Sequence, residues 1–182
     1  MKRIATFLLA IMFVVSMAPT AFAESTTLTT TVPSATYTLN IPADQEIVYG
    51  SYETKIGNVT VTEGKNFATG KNVAVTLNYA PFASENTTTT IPYTLDGYGI
   101  LNRSENTYAS TRLSNNATIT FKGLSSGAVQ EKAYINCTLS TGQSYSLAME
   151  YINVVVNSAS WGQAAAGNYS SVITFSSEIV VE

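Results

Sequence analysis

The chain has 182 residues, which is enough for one domain with a full hydrophobic core and short for two. It contains no histidine and one cysteine, which excludes Ser-His-Asp and Cys-His nucleophiles, the usual catalytic zinc sites and an internal disulfide, and no cofactor is expected. With a net charge of −3, the chain lacks the basic surface that a nucleic-acid partner would require.

Residues 1–23 have the three parts of a secretory signal peptide. A basic start at residues 1–3 is followed by an apolar run over residues 4–17 and by a small-residue cleavage site at residues 21–23. The apolar run is shorter than the ~20 residues that cross a bilayer, so we expect cleavage and no membrane span afterwards. The leader and composition are typical of bacteria, and we expect an exported protein, extracellular or at the cell surface.

The first mature residues, 24–33, form an arm rich in Ser and Thr. Leu28 and Val32 are four residues apart in it, with Thr30 between them. A disordered linker, a solvated first strand and an exchangeable arm that adds to another subunit's sheet all fit this composition. Residues 34–182 are predicted to form the folded domain.

Apolar and polar side chains alternate along the rest of the chain, which predicts strands with one buried face. The predicted inward sets are Tyr37/Leu39/Ile41, Val59/Val61, Val73/Val75/Leu77/Tyr79, Ile91/Tyr93/Leu95, Ile119/Phe121, Ala133/Ile135/Cys137/Leu139 and the odd positions from Tyr169 to Val181. The last strand would be about 45 Å long, so we expect it to bend or bulge around Ser176-Ser177. Residues 84–90 and 102–116 are predicted to be long polar loops. The pattern indicates an all-β fold, an antiparallel sandwich or barrel.

Motifs for catalysis or metal binding are weak. Residues 123–127 match Gly-x-Ser-x-Gly, but a nucleophile elbow also needs a following helix and a histidine base, so we predict a turn. The candidate carboxylates for a small hydrolase are Asp44, Glu46 and Glu53, or Asp96 with Glu105, and all of them lie beside turn residues. Asp44 and Glu46 are also the candidates for a calcium site. Cys137 falls on an inward face, where a thiol is inert, and a cross-link between two chains is the alternative. We therefore expect no catalytic or metal site.

Three aromatic residues are candidates for contact with a ligand, because aromatic faces suit sugar rings. Tyr98 lies in the stretch Asp-Gly-Tyr-Gly, Tyr108 in a predicted polar loop, and Trp161 just before the last strand. For Trp161, packing against the edge of the sandwich is the alternative role. Most other tyrosines lie on apolar faces and are expected in the core.

Several stretches resemble spore-coat-U-like and chaperone–usher pilin domains. They are Ile47-Val-Tyr-Gly-Ser-Tyr52 with Gly57-Asn-Val-Thr-Val61, the Ile91-Pro-Tyr-Thr-Leu95 segment, and Ala166-Gly-Asn-Tyr169-Ser-Ser-Val-Ile-Thr-Phe175. The Gly-x-Tyr before the last strand is also similar to the end of WxL cell-wall-binding domains, although Trp-x-Leu is absent. The resemblance implies a single antiparallel immunoglobulin-like sandwich of about seven to ten strands, displayed outside the cell, with residues 24–33 as a donor strand.

The expected function is that of a non-enzymatic, secreted bacterial cell-surface module, structural or adhesive. A pilin-like subunit would assemble by β-strand complementation with copies of itself or with other surface subunits. The alternative is a monomeric binding module for cell-wall or host glycans, in which Tyr98, Tyr108 and Trp161 contact a surface polysaccharide. A small carboxylate-dependent hydrolase is the remote alternative.

Overall fold

The computed structural model describes residues 29–31, 33–102, 104–105 and 107–181. The chain divides into two units, residues 1–32 and residues 33–182. The predicted signal peptide and residues 24–28 and 32 of the arm, which include Leu28 and Val32, lie outside the described residues. Thr30 is exposed and has no regular secondary structure.

Antiparallel strands make up most of the second unit, together with one short helix. The strands are β1 (Thr36–Asn40), β2 (Glu53–Gly57), β3 (Thr60–Lys65), β4 (Lys71–Tyr79), β5 (Phe82–Ala83), β6 (Thr90–Ile91), β7 (Thr94–Asn102), β8 (Thr107–Leu113), β9 (Thr118–Lys122), β10 (Tyr134–Thr138), β11 (Ser144–Val155) and β12 (Ile173–Val181), and the helix is α1 (Ser158–Gly162). β5 and β6 have two residues each, and the other strands have five or more. The all-β prediction is confirmed.

Two larger sheets form the body of the fold. One has the order β12-β4-β9, and the other has the order β8-β7-β11. The far edge of β11 pairs with β10 along its first half and with β2 along its second half. Two smaller sheets, β1-β3 and β5-β6, flank them. Within the described part of the chain no sheet closes on itself, so the arrangement is sandwich-like rather than a barrel.

The inner faces of the two larger sheets share one hydrophobic core. Val73, Val75 and Leu77 of β4 are fully buried, as are Leu95 of β7 and Ile152 of β11. Three predicted inward sets are buried throughout: Val59/Val61, Ile91/Tyr93/Leu95 and Ile119/Phe121. Two more, Val73/Val75/Leu77/Tyr79 and Ala133/Ile135/Cys137/Leu139, are buried except for their last members, Tyr79 and Leu139, which are half-buried. Each large aliphatic or aromatic side chain in this set contributes about 1.5–3 kcal/mol by burial. The period of two therefore identified the core-facing side of most strands.

Cys137 lies on the inner face of β10 and is fully buried, as predicted. Burial raises the pKa of its thiol, because the thiolate is poorly solvated inside the core. We expect no reaction of Cys137 with an aromatic disulfide reagent in the native protein and complete reaction in guanidinium chloride. Ser140→Cys, at an exposed position in the turn after β10, is the control and should react at once in the native state. Fast native labelling of the wild-type chain would contradict this burial.

Two segments differ from the sequence prediction. Residues 102–116, predicted to be a polar loop, contain strand β8, in which Ala109 and Leu113 face the core. The inward positions of β8 are Ala, Thr and Leu, so the contrast between its two faces was too low to indicate a strand. Ile41 is exposed instead of buried, because β1 ends at Asn40 and the chain turns away.

The last strand also differs from the prediction. It begins at Ile173 and pairs with β4 in an unbroken register to Val181, so the bend expected at Ser176-Ser177 is absent. The break lies before the strand. The Ser171 hydroxyl donates to the Ala80 carbonyl oxygen, and the Tyr169 hydroxyl donates to the Ala165 carbonyl oxygen. These bonds hold Tyr169 and Ser171 in a loop rather than in the sheet.

Candidate functional site

Tyr98 and Tyr108 lie in one cluster on the outer face of the larger sheet that contains β8, β7 and β11. Tyr98 is directly opposite Tyr151 of β11, and their rings stack with centroids 5.0 Å apart and planes 10° apart. Tyr108 meets Tyr151 edge-on at 5.5 Å, and the Lys55 ammonium lies 4.4 Å from the centre of the Tyr151 ring. Cross-strand aromatic pairs of this kind stabilise a sheet by about 0.2–1 kcal/mol each.

The hydroxyl of Tyr98 is also engaged. It donates to Glu53 Oε1 at 3.0 Å, while Asn153 Nδ2 donates to Glu53 Oε2 at 3.2 Å. Burial and the neighbouring Glu53 carboxylate raise the pKa of Tyr98, and burial is the main cause that raises the pKa of Tyr151, so both hydroxyls stay protonated. The stacked rings cover each other, which leaves Tyr108, 40% exposed, as the accessible ring of this cluster.

The sequence did not indicate Tyr151 because β11 does not alternate regularly. Its register against β7 shifts between Met149 and Tyr151, and Met149 and Ile152, three positions apart, are both fully buried. An irregularity of this kind, as in a β-bulge, moves the following side chains to the other face. Tyr151 therefore lies on the outer face beside Tyr98, which a strict period of two cannot predict.

Trp161 lies apart from this cluster, in a cleft beside helix α1. The N-cap residue Asn157 holds the first turn, since its Oδ1 accepts from the Ser160 backbone N–H at 2.8 Å. Trp161 is 9% exposed, and its Nε1 donates to the Ser51 carbonyl oxygen at 2.9 Å. The ring of Tyr49 packs edge-on against the indole with centroids 5.3 Å apart. The indole thus anchors the chain before β2.

The cleft encloses about 660 Å³. Tyr49, Phe82 and Trp161 contribute aromatic surface, and the loop from Ala164 to Ser171 forms much of the lining. Three consecutive alanines and a glycine in this loop, residues 164–167, leave the space open because they carry little side-chain volume. Tyr49, which is 75% exposed, was not among the residues that the sequence indicated.

The edge of the sheet formed by β12 is the third surface of interest. β12 pairs with β4 on one side, and no described strand pairs with its other side. Ile179 and Val181 share the inner face with Val73, the register partner of Ile179, but are 38% and 75% exposed. Their side chains extend past the cover that the opposite sheet provides. The inner face is therefore incomplete along this edge.

An apolar notch of about 260 Å³ continues this edge at the start of β12. Ile173 and Phe175 of β12 contribute to its lining, together with Ile41, Ile56 and Val154. Midway along the strand, the Tyr37 hydroxyl of β1 donates to Ser177 Oγ at 2.9 Å. The free edge of β12 therefore carries apolar side chains both before and after Ser177.

The carboxylates considered for hydrolysis or calcium binding are not brought together. Asp44 and Glu46 lie exposed in the loop after β1, and Asp96 forms an ion pair with Arg112 on the outer face of the sheet. The described residues contain no group of three or more Asp, Glu, His or Cys arranged to hold a metal ion.

Residues 123–127 form the predicted turn after β9, where the Gly127 N–H donates to the Leu124 carbonyl oxygen. Among the described residues, no helix has the length and apolarity to cross a membrane.

Comparison with known proteins found no relative of this chain. No protein-family model matches the chain, and no curated protein or solved structure is significantly similar to it.

Proposed function

We propose that this protein is a secreted bacterial surface module, structural or adhesive, that assembles when a neighbouring chain adds a strand to the free edge of β12. The observation that carries the proposal is the exposure of Ile179 and Val181 on an inner face. Backbone N–H and C=O groups at a free edge supply affinity, and uncovered apolar side chains supply a further gain when a strand covers them. β12 has neither lysine nor proline, the residues that commonly block such an edge.

The arm of a second copy is the strand that we propose for this edge. Leu28, Thr30 and Val32 recur every second residue, the spacing that puts side chains on one face of a strand. Apolar Leu28 and Val32 would cover the uncovered positions of β12, with the small Thr30 between them. The signal peptide pattern supports export, and the sandwich-like arrangement supports the immunoglobulin-like, pilin-like character that forms part of this proposal.

The alternatives that the sequence left open have less support. A glycan site at Tyr98 is disfavoured because Tyr151 and the bond to Glu53 occupy its ring and hydroxyl. A hydrolase is disfavoured because the candidate carboxylates Asp44, Glu46 and Asp96 do not form a pair in one cleft.

Strand addition predicts that the arm controls the oligomeric state. By light scattering, residues 24–182 should form higher-order species that persist in mild denaturant, and a chain that starts at Ser34 should remain monomeric with an unchanged unfolding midpoint. The arm contributes the added strand, so its removal leaves the acceptor domain intact but without a donor. A stable monomer from both chains would refute this assembly.

The acceptor edge is tested separately. Ile179→Lys with Val181→Lys places two charges where the arm would pack, and these should abolish the higher-order species because burying a lysine beside the arm is costly. Val48→Lys is the matched control, since Val48 is an exposed valine in the loop before β2. The control should assemble like the wild type. Equal assembly of the edge variant and the control would contradict the assignment of β12 as acceptor.

A further inference from the structure

The cleft beside α1 is not lined by Ile179 or Val181, and it combines exposed aromatic surface with polar side chains that form no hydrogen bond to another described residue. It lies between the loop before β2 and the loop that leads into β12. At about 660 Å³, it is within the range of pockets that hold small ligands, roughly 300–1,000 Å³.

Tyr49 supplies the aromatic surface. Its side chain is 75% exposed, and its ring makes an edge-on contact with Trp161. The indole is itself fixed by the bond from Nε1 to the Ser51 carbonyl oxygen, two residues after Tyr49. Tyr49 is therefore held at the cleft by a buried anchor rather than left on a free loop. A large ring that is exposed and held in place is suited to stack against an apolar ligand face.

The polar part of the lining carries neutral groups for hydrogen bonding. The side chains of Gln45 and Asn168 each offer an amide donor and acceptor, and Ser170 offers a hydroxyl. None of these three side chains forms a hydrogen bond to another described residue, so all are available to a ligand. Donors and acceptors spaced around an aromatic ring match a molecule that has hydroxyls on its edges and C–H groups on its faces.

The charge of the lining narrows the ligand class. Glu46 is its charged side chain, and the residues around the cleft include neither lysine nor arginine. An anionic ligand would meet a carboxylate with no compensating cation. The charge of the lining therefore disfavours an anionic ligand, and the other polar groups of the lining are neutral.

We infer that this cleft binds a short neutral oligosaccharide, with Tyr49 stacked on one sugar ring and with Gln45 and Asn168 bonded to hydroxyls. The small residues 164–167 provide the space for the sugar chain. Neither Ile179 nor Val181 lines this cleft, so a subunit that assembles through these two positions would still present it. Tyr49, which no sequence pattern indicated, is the main ligand contact.

The test is a binding assay with the mature chain, residues 24–182, and defined probes. Neutral hexasaccharides of glucose, xylose, mannose and N-acetylglucosamine are titrated by calorimetry, with an oligogalacturonate as the anionic probe. We expect saturable binding of at least one neutral probe and none of the anionic one. Absence of binding to all neutral probes, or preference for the anionic one, would overturn the inference.

Variants locate the site. Tyr49→Ala should weaken binding roughly tenfold or more, while Tyr49→Phe, which keeps the ring, should retain most of the affinity. Ala166→Leu, which adds volume to the loop, should block the cleft. Tyr134→Ala removes an exposed tyrosine from β10 and should bind like the wild type. Equal binding by Tyr49→Ala and Tyr134→Ala would refute the site.

Light scattering on the same variants separates this inference from the proposed assembly. Tyr49→Ala and Ala166→Leu should assemble like the wild type, and the Ile179→Lys, Val181→Lys variant should still bind the oligosaccharide. Failure of binding with intact assembly would overturn the cleft alone, and the reverse would overturn the β12 edge alone.

Discussion

Gly123→Ala is expected to lower the free energy of unfolding by about 2–3 kcal/mol, the cost of forcing an extra methyl group into packed backbone. A Cβ at this position would lie 2.0 Å from the carbonyl oxygen of Lys71 and 3.2 Å from its carbonyl carbon. The neighbouring atoms belong to the main chain of β4, so no side chain can rotate away. The Gly123 N–H also donates to Asn72 Oδ1 at 3.1 Å, which a shift of the backbone would lengthen. Denaturant unfolding followed by the fluorescence of Trp161 measures the loss.

Gly162→Ala is the matched control for this prediction. No heavy atom lies within 4 Å of a Cβ at Gly162, and this glycine closes helix α1, where alanine is favoured over glycine by up to about 1 kcal/mol. The variant should be as stable as the wild type or slightly more stable. If the two alanine variants lost the same free energy of unfolding, the close contact between position 123 and the Lys71 carbonyl group would not be the cause of the loss.

Phe121→Ala is expected to cost about 3–5 kcal/mol, because it removes a large side chain from the core and leaves a cavity. Phe121 is fully buried on β9, opposite Val73 of the central strand β4. Its sheet neighbour β4 is held on the other side by β12, so the cavity cannot readily collapse. The loss is read from urea unfolding by circular dichroism.

Phe82→Ala provides the comparison for the core variant. Phe82 is half-buried in the two-residue strand β5, and the centroid of its ring lies 4.8 Å from that of Tyr93. Its removal should cost clearly less, because solvent and the surrounding loop can fill the space. If both variants lost the same stability, the core between the two larger sheets would be less tightly packed than the burial of Phe121 indicates.

The buried faces were predictable wherever apolar and polar residues differ strongly along one strand. β4 and β10 are of this kind, and the positions Val73, Val75 and Ile135 face the core as expected. β8 was not predicted because two of its three inward residues, Ala109 and Thr111, are small or polar. The start of the last strand was predicted wrongly because a hydrogen bond from Ser171 to Ala80, 91 residues away in sequence, helps to fix where β12 begins, and local alternation does not show this bond.

The candidate sites were less predictable than the fold because each one combines residues that are distant in sequence. Trp161 stands out by its residue type, but its hydrogen-bond partner Ser51 is 110 residues away in sequence, and Tyr49 stands out only within the stretch that resembles pilin domains. Tyr98 and Tyr108 were chosen as accessible rings, whereas the register between β7 and β11 places Tyr98 against Tyr151. Pairing between strands, which alternation does not specify, decides which aromatic rings are free.

The pairing of β12 with β4 also determines when this protein can finish folding. Tyr79 pairs with Ile173, so roughly 90 residues of chain must follow β4 before that side of it can close. β9 closes the other side much earlier, since Asn72 pairs with Lys122. At ~5–20 residues per second of synthesis, β4 waits on the order of 5–20 s with Val73, Val75 and Leu77 at an open edge. That interval is when a chaperone would protect the nascent chain and when aggregation would compete with native pairing.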